Sequence, residues 1–120
     1  MSNSVGLDPA ETTAGVCCTS LVAEPLGADA VAAAVPVLKA LADPARLRLL
    51  SLVASHAGGE ACVCDLNEAF DLSQPTISHH LKVLHSVGLL EREKRGVWVY
   101  YRVDAPALGE LGALIGSVSR

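Results

Sequence analysis

Aromatic residues and charged residues are both scarce in this chain. Of its 120 residues, 3% are aromatic and 18% are charged, whereas 51% are hydrophobic. The core must therefore be built from aliphatic side chains. A chain of this length normally has a single hydrophobic core, which excludes a multidomain enzyme.

The first part of the chain contains no basic residue, and the chain has no long apolar run. Lys39 is the first lysine or arginine in the sequence. A secretory signal needs basic residues ahead of an apolar run, and a membrane span needs roughly 20 apolar residues. We therefore expect a cytoplasmic protein with no membrane partner.

The net charge argues against nucleic acid as a partner until its distribution is considered. The formal charge is −4, and binding of polyanions usually requires a basic surface. All of the excess acid lies in residues 1–38, while residues 39–120 contain nine basic and nine acidic residues. A single stretch holds five of these bases: Lys82, Arg92, Lys94, Arg95 and Arg102.

Local composition divides the chain into an arm and a single domain. Residues 1–27 are rich in Ser, Thr, Gly and Pro, so we expect a flexible N-terminal arm carrying Cys17 and Cys18. Residues 28–120 are expected to form one domain that is mainly α-helical with a β-hairpin. Caps and apolar periodicity predict helices over residues 29–42, 45–57, 62–70 and 74–87 and from residue 104, and strands over 89–95 and 97–103.

This order of elements is typical of a winged helix-turn-helix. In that fold the second helix enters the major groove with its N-terminal residues, and a hairpin called the wing contacts the DNA backbone. On a helical wheel Ile77, Leu81 and Leu84 form the inward face of helix 74–87. The outward face and the wing supply the predicted DNA contacts, which are Gln74, Thr76, Ser78, His79, Lys82, Lys94 and Arg95.

Three aromatic residues lie on the second predicted strand of the wing. They are Trp98, Tyr100 and Tyr101. Large side chains in this position usually anchor a wing to the core. We therefore expect them to pack against it rather than to stack on bases.

Four motifs resemble the ArsR/SmtB family of metalloregulatory repressors. They are LADPARLRLL at 41–50, CVCDL at 62–66, SQPTISHHL at 73–81 and GLL at 88–90. The resemblance covers about residues 30–118. It implies a homodimeric repressor that binds an operator near its own gene and leaves it when a metal or metalloid binds. Its two recognition helices would contact an imperfect palindrome in double-stranded DNA.

The same resemblance identifies residues 62–65, Cys-Val-Cys-Asp, as the thiolate box of the family. Side chains two residues apart on a regular helix point about 200° apart, so Cys62 and Cys64 can share one ion only if the helix begins late or unwinds. Some arsenic sensors have a third cysteine three residues after the second, where this chain has Asn67. The resemblance implies that Cys17 and Cys18 on the arm complete the site, as N-terminal cysteines do in other members.

The four cysteines are compatible with more than one ion. As(III) and Sb(III) are satisfied by three thiolates, whereas Cd(II), Pb(II) and Zn(II) can use a fourth ligand. The adjacent pair Cys17-Cys18 favours As(III) or Sb(III), because it resembles the arm of arsenic sensors. Either one arm cysteine joins Cys62 and Cys64, or both arm cysteines join one cysteine of the box.

Two other classes of function use the same cysteines. A redox-sensing repressor would form disulfides and release DNA on oxidation. A thiol enzyme is disfavoured, because the sequence has no anion-binding loop and no Cys-x-x-Cys motif. The family's second metal site, on the C-terminal helix, is expected to be absent, since residues 104–120 contain Asp104 and Glu110 but no histidine.

Overall fold

A computed structural model describes residues 24–119 of the chain. Most of the predicted arm, including Cys17 and Cys18, lies outside the described residues. The helices are α1 (Ala28–Leu41), α2 (Pro44–Ser55), α3 (Val63–Asn67), α4 (Gln74–Ser86) and α5 (Ala105–Gly116). The strands are β1 (Glu60–Cys62), β2 (Leu90–Arg95) and β3 (Trp98–Val103), and a short 3-10 turn covers Ala57–Gly59.

Side-chain caps begin three of the helices, as the sequence predicts. The Asp43 carboxylate accepts hydrogen bonds from the backbone N–H groups of Ala45 and Arg46 at the start of α2, at 2.9 and 3.2 Å. Ser73 caps α4 and Asp104 caps α5 in the same way. Each of these helices has a proline in its first turn, where the missing N–H has no helical partner to lose.

The strands form one antiparallel sheet in the order β1-β3-β2. Strands β2 and β3 are the predicted hairpin, which we call the wing. Gly96 is the first residue of its two-residue loop and has φ 63°, a left-handed conformation that glycine adopts without steric cost. The winged helix-turn-helix prediction is confirmed.

Strand β1 was not predicted, and it changes the boundaries of the third helix. The sequence predicts a helix over residues 62–70, but Cys62 is the last residue of β1 and α3 covers only Val63–Asn67. A strand of three residues is too short to show a periodic pattern. It forms because Ala61, 1% exposed, pairs with the buried Tyr101 on β3, 40 residues later in the sequence.

The core is aliphatic except for Tyr101. Helix α4 contributes Ile77, Leu81 and Leu84, all of them 0% exposed, so the inward face predicted from the helical wheel is confirmed. The other core residues come from α2, β1, α3, the two strands of the wing and the residue just before it: Leu49, Leu50, Val53, Ala61, Leu66, Leu89, Leu90 and Tyr101.

Helices α1 and α5 lie at the edge of this core and expose apolar side chains. No residue of α5 is buried within the single chain. A groove of about 370 Å³ runs between α1 and α5, with Val37 and Leu111 in its walls. Among residues 24–119, no helix combines the length and the apolar character that crossing a membrane requires.

Truncation of a buried leucine of α4 is expected to destabilise the fold. Leu81→Ala removes a side chain that is 0% exposed, so the free energy of unfolding should fall by about 2–5 kcal/mol. Leu47→Ala is the matched control, because Leu47 is 54% exposed on α2; its effect should stay within about 0.5 kcal/mol. Urea denaturation measures both, and equal losses for the two variants would contradict this description of the core.

Candidate DNA interface and thiol site

Helix α4 presents its predicted DNA contacts to solvent. Gln74, Thr76, His79 and Lys82 are exposed, and Ser78 is half-buried. The Thr76 hydroxyl lies 2.8 Å from the hydroxyl of the capping Ser73, which fixes its position in the first turn. The N-terminal half of α4 therefore carries small polar side chains, with one cation a turn further along.

Arg46 in α2 contacts both α1 and α4, which the sequence motifs did not indicate. Its Nε donates to the carbonyl oxygen of Ala40 in α1 at 2.6 Å, and its Nη1 lies 3.3 Å from Nδ1 of His80 in α4. The backbone N–H of Arg46 is also the main reason that the pKa of the Asp43 carboxyl is lowered. One side chain in α2 thus links the helix before it to the recognition helix.

The cations of α4 and the wing form two groups, those paired with carboxylates and those without such a partner. Arg95 donates two hydrogen bonds to the Glu60 carboxylate, at 2.9 and 2.8 Å, and one to Glu93 at 2.8 Å. These bonds hold the pKa of both carboxyls below the ordinary value and raise the pKa of Arg95. In the described part of the chain no carboxylate pairs with Lys82, Arg92 or Lys94.

The aromatic residues of the wing differ in burial. Tyr101 is 3% exposed and anchors β3 to the core, as expected. Tyr100 is half-buried, and the Arg95 guanidinium lies over its ring at 4.3 Å. The expectation that Trp98 anchors the wing is wrong, because Trp98 is 54% exposed. It is the first residue of β3, beyond the edge of the core.

The thiolate box lies where β1 meets α3. Cys62 has extended backbone, with φ −88° and ψ 162°, and is the N-cap of α3, while Cys64 lies in the first turn. The helix thus begins after Cys62, which is the late start that two converging sulfurs require. The structure joins the two cysteines in a disulfide, with their Cα atoms 5.3 Å apart. Cys62 is 4% exposed and Cys64 is exposed, so the site opens to solvent on one side.

Asp65 completes the local group, and the cysteine pattern did not single it out. Its carboxylate accepts a hydrogen bond from the Cys62 backbone N–H at 3.1 Å, while the Cys62 sulfur accepts one from the Asp65 N–H. The possible ligand atoms of Cys62, Cys64 and Asp65 lie within 4.8 Å of one another. The signal was present in the sequence, because an acidic residue three positions after a cap forms a capping box.

The described residues therefore offer two sulfurs and one carboxylate, but not three sulfurs. Asn67, where a third cysteine would be, ends α3 with its side-chain oxygen buried and without a hydrogen-bond partner among residues 24–119. Cys17 and Cys18, the residues predicted to supply a third thiolate, lie outside the described residues. Two sulfurs with one carboxylate oxygen form a mixed ligand set that suits a borderline ion such as Zn(II).

Comparison with known proteins places the helix-turn-helix in one family. The model of the family described as "Bacterial regulatory protein, arsR family" matches residues 43–92, from the cap of α2 into β2. An arsenic resistance transcriptional regulator of Pseudomonas putida is 49% identical over 67 residues, covering 56% of this chain and 51% of its own length. An arsenical resistance operon repressor of Escherichia coli is 48% identical over 70 residues, covering 58% of each chain. The chain thus spans little more than half the length of these curated relatives.

A solved structure extends the similarity over most of the domain. The homodimeric winged helix-turn-helix DNA-binding domain of a possible ArsR-family transcriptional regulator from Mycobacterium bovis is 32% identical, with a TM-score of 0.61. The match covers 81% of this chain and 89% of that domain. Fold, motifs and family model agree, and the chain belongs to the arsR family of bacterial regulatory proteins.

Proposed function

We propose that the chain is a cytoplasmic transcriptional repressor that responds to As(III) or Sb(III). It binds operator DNA as a homodimer and dissociates when cysteine thiolates bind the metalloid. The observation that carries the proposal is the start of α3 after Cys62, because it brings two sulfurs together beside the helix-turn-helix. The two curated relatives, named for arsenic or arsenical resistance, support the choice of ligand.

The DNA interface combines α4 with the wing. Side chains at the N-terminal end of α4 have donors and acceptors suited to base edges, and Lys82 supplies a phosphate contact. Lys94 at the end of β2 is exposed and has no carboxylate partner in residues 24–119, so it is available to a phosphate. Arg95 stays a predicted DNA contact, and its guanidinium is positioned by two carboxylates.

Homodimerisation is supported by the apolar surfaces of α1 and α5. Val31 and Val35 on α1 are 43% and 37% exposed, and Ile115 on α5 is 46% exposed. Burial of these side chains against a second copy removes apolar area from water. Two copies of α4 related by a twofold axis would contact an imperfect palindrome with half-sites about one helical turn apart.

A structural change at the ligand site is transmitted to α4 by α3. Helix α3 contacts α4, and Leu66 in α3 belongs to the same core cluster as Ile77 in α4. A ligand that draws Cys62, Cys64 and an arm cysteine together changes the geometry at the start of α3. Closely packed helices shift between discrete arrangements rather than deforming continuously, so this change alters the position of α4 on DNA.

The choice of the third ligand sets ion selectivity. A third thiolate from Cys17 or Cys18 gives the three-sulfur set that As(III) and Sb(III) require, and both arm cysteines with one box cysteine would do the same. Recruitment of the Asp65 carboxylate instead would favour Cd(II), Pb(II) or Zn(II). These divalent ions are therefore the alternative inducers.

Oxidation is a second candidate signal, and the disulfide between Cys62 and Cys64 supports it. Two thiols and one hydrogen peroxide give one disulfide and two waters, which removes both thiolates of the box. In this alternative, peroxide would release the DNA and metalloids would not. The similar proteins described above are regulators, so a thiol enzyme has no support from them and we propose no catalytic activity.

Arsenite is expected to weaken operator binding by the reduced chain through the box cysteines. With a duplex from upstream of its own gene, saturating arsenite should lower the affinity about 5- to 150-fold, the usual range of allosteric coupling. At least one of Cys62→Ser and Cys64→Ser should abolish this effect, and each of them should do so if both box cysteines are ligands; arsenite-free binding should stay intact. Fluorescence anisotropy of the labelled duplex measures both quantities.

The same titration distinguishes the alternatives. A normal response of Cys17→Ser, Cys18→Ser and the double variant would exclude the arm from the site. A response to cadmium but not to arsenite would favour the divalent ions, and release by peroxide alone would favour the redox sensor. An operator affinity that no arsenite concentration changes would contradict the proposed function.

Lys82 is expected to contribute a phosphate contact. Lys82→Ala should weaken binding to all DNA sequences alike and reduce the slope of log affinity against log salt by about 1, because one fewer counterion is released. Lys39→Ala is the matched control, since Lys39 is an exposed lysine in the last turn of α1 and is not among the predicted DNA contacts. Equal salt slopes for wild type and Lys82→Ala would place Lys82 outside the interface.

A further inference from the structure

One face of the sheet joins the thiolate box to the wing. Directly paired residues in antiparallel strands share a face, and so do residues two apart along a strand. The register therefore places two rows of side chains on this face, away from Ala61 and Tyr101, which point to the core. The rows are Glu60-Arg102-Glu91 and Cys62-Tyr100-Glu93.

Ion pairs cross this face from strand to strand. Arg95 on β2 is bonded to Glu60 on β1 and covers the ring of Tyr100, which is the cross-strand neighbour of Cys62. Glu60 also lies 3.5 Å from Arg102 on β3. Within residues 24–119, Glu60 is the one carboxylate of β1 in an ion pair, whereas Glu91 and Glu93 pair with arginines of the wing itself.

We propose that Glu60 is a positioning residue that transmits ligand binding at Cys62 to the wing. The inference rests on the proposed function. Cys62 and Glu60 are two residues apart on one strand, about 7 Å in extended chain. Strand β1 ends at Cys62, so displacement of Cys62 by a ligand shifts the short strand that carries Glu60.

The geometry explains why Glu60 carries the signal into the wing. Its side chain is 25% exposed, and its carboxylate receives two parallel hydrogen bonds from Arg95. Paired hydrogen bonds of this kind fix the orientation of a guanidinium as well as its distance. Arg95 is the last residue of β2, next to the wing loop, so a shift of β1 moves the wing cation that is predicted to contact DNA.

Glu60→Gln tests this role, with Glu91→Gln as the matched control. The substitution at position 60 keeps the size of the side chain but removes one of the two charges that hold Arg95, the one that links it to β1. The control removes the charge of Glu91, which pairs with Arg102 at 2.9 Å inside the wing; among residues 24–119, Glu91 itself has no ion pair with β1 or with Arg95. Both variants are assayed as reduced full-length chains with arsenite and the operator duplex.

Two readouts separate coupling from stability. The first is the ratio of operator affinities without and with saturating arsenite. The second is the fluorescence of Trp98, which is the sole tryptophan and pairs with Arg95 across the wing, measured during arsenite titration without DNA. A purely structural role of Glu60 would change neither the arsenite-dependent ratio nor the arsenite-dependent emission.

In the Glu60→Gln chain, arsenite should bind with wild-type stoichiometry. The ratio of operator affinities without and with arsenite should be about three- to fivefold smaller than in wild type, the range expected for loss of one well-formed exposed ion pair. The arsenite-dependent change in Trp98 emission should shrink in Glu60→Gln and persist in Glu91→Gln. Equal ratios and emission changes in wild type and Glu60→Gln would overturn the inference, as would an equal loss in Glu91→Gln. No effect of arsenite on wild-type DNA binding would overturn the proposed function itself, and this inference with it.

Discussion

The pairing of β1 with β3 is the constraint on which the rest of the site depends. It holds Cys62 in extended backbone, so α3 begins one residue later and the two sulfurs of the box converge instead of pointing to opposite sides. The same pairing places Glu60 beside the arginines of the wing. Three residues of strand thus connect the thiols, the recognition helix and the wing within one small core.

The proposed DNA interface contains few charged residues, and whether each is paired with a carboxylate matters more than how many there are. A chain with a net charge of −4 has no generally basic surface. Arg95 and Arg102 are held by carboxylates, while Lys82, Arg92 and Lys94 have none within residues 24–119. In the proposed interface, these unpaired cations would supply the salt-dependent part of the affinity for DNA. The paired cations, Arg95 and Arg102, would instead change position when the strands that carry their carboxylate partners shift.

Sequence reasoning predicted the features that local chemistry determines. Asp43 and Ser73 are caps whose partners lie two or three residues away, so the starts of α2 and α4 were predictable. The ion pair between Glu60 and Arg95 was not, because its partners are 35 residues apart. Strand β1 and the exposure of Trp98 were not predicted either, because both depend on where the wing packs against residues distant in the sequence.

In the proposed function, ligand binding at the thiols and DNA binding at α4 and the wing oppose each other. Thermodynamic linkage requires this coupling to be reciprocal. The most direct measurement is the arsenite affinity of the reduced chain with and without saturating operator duplex. We predict that the duplex weakens arsenite binding by the same factor by which arsenite weakens DNA binding. An arsenite affinity that is the same in both conditions would contradict the account.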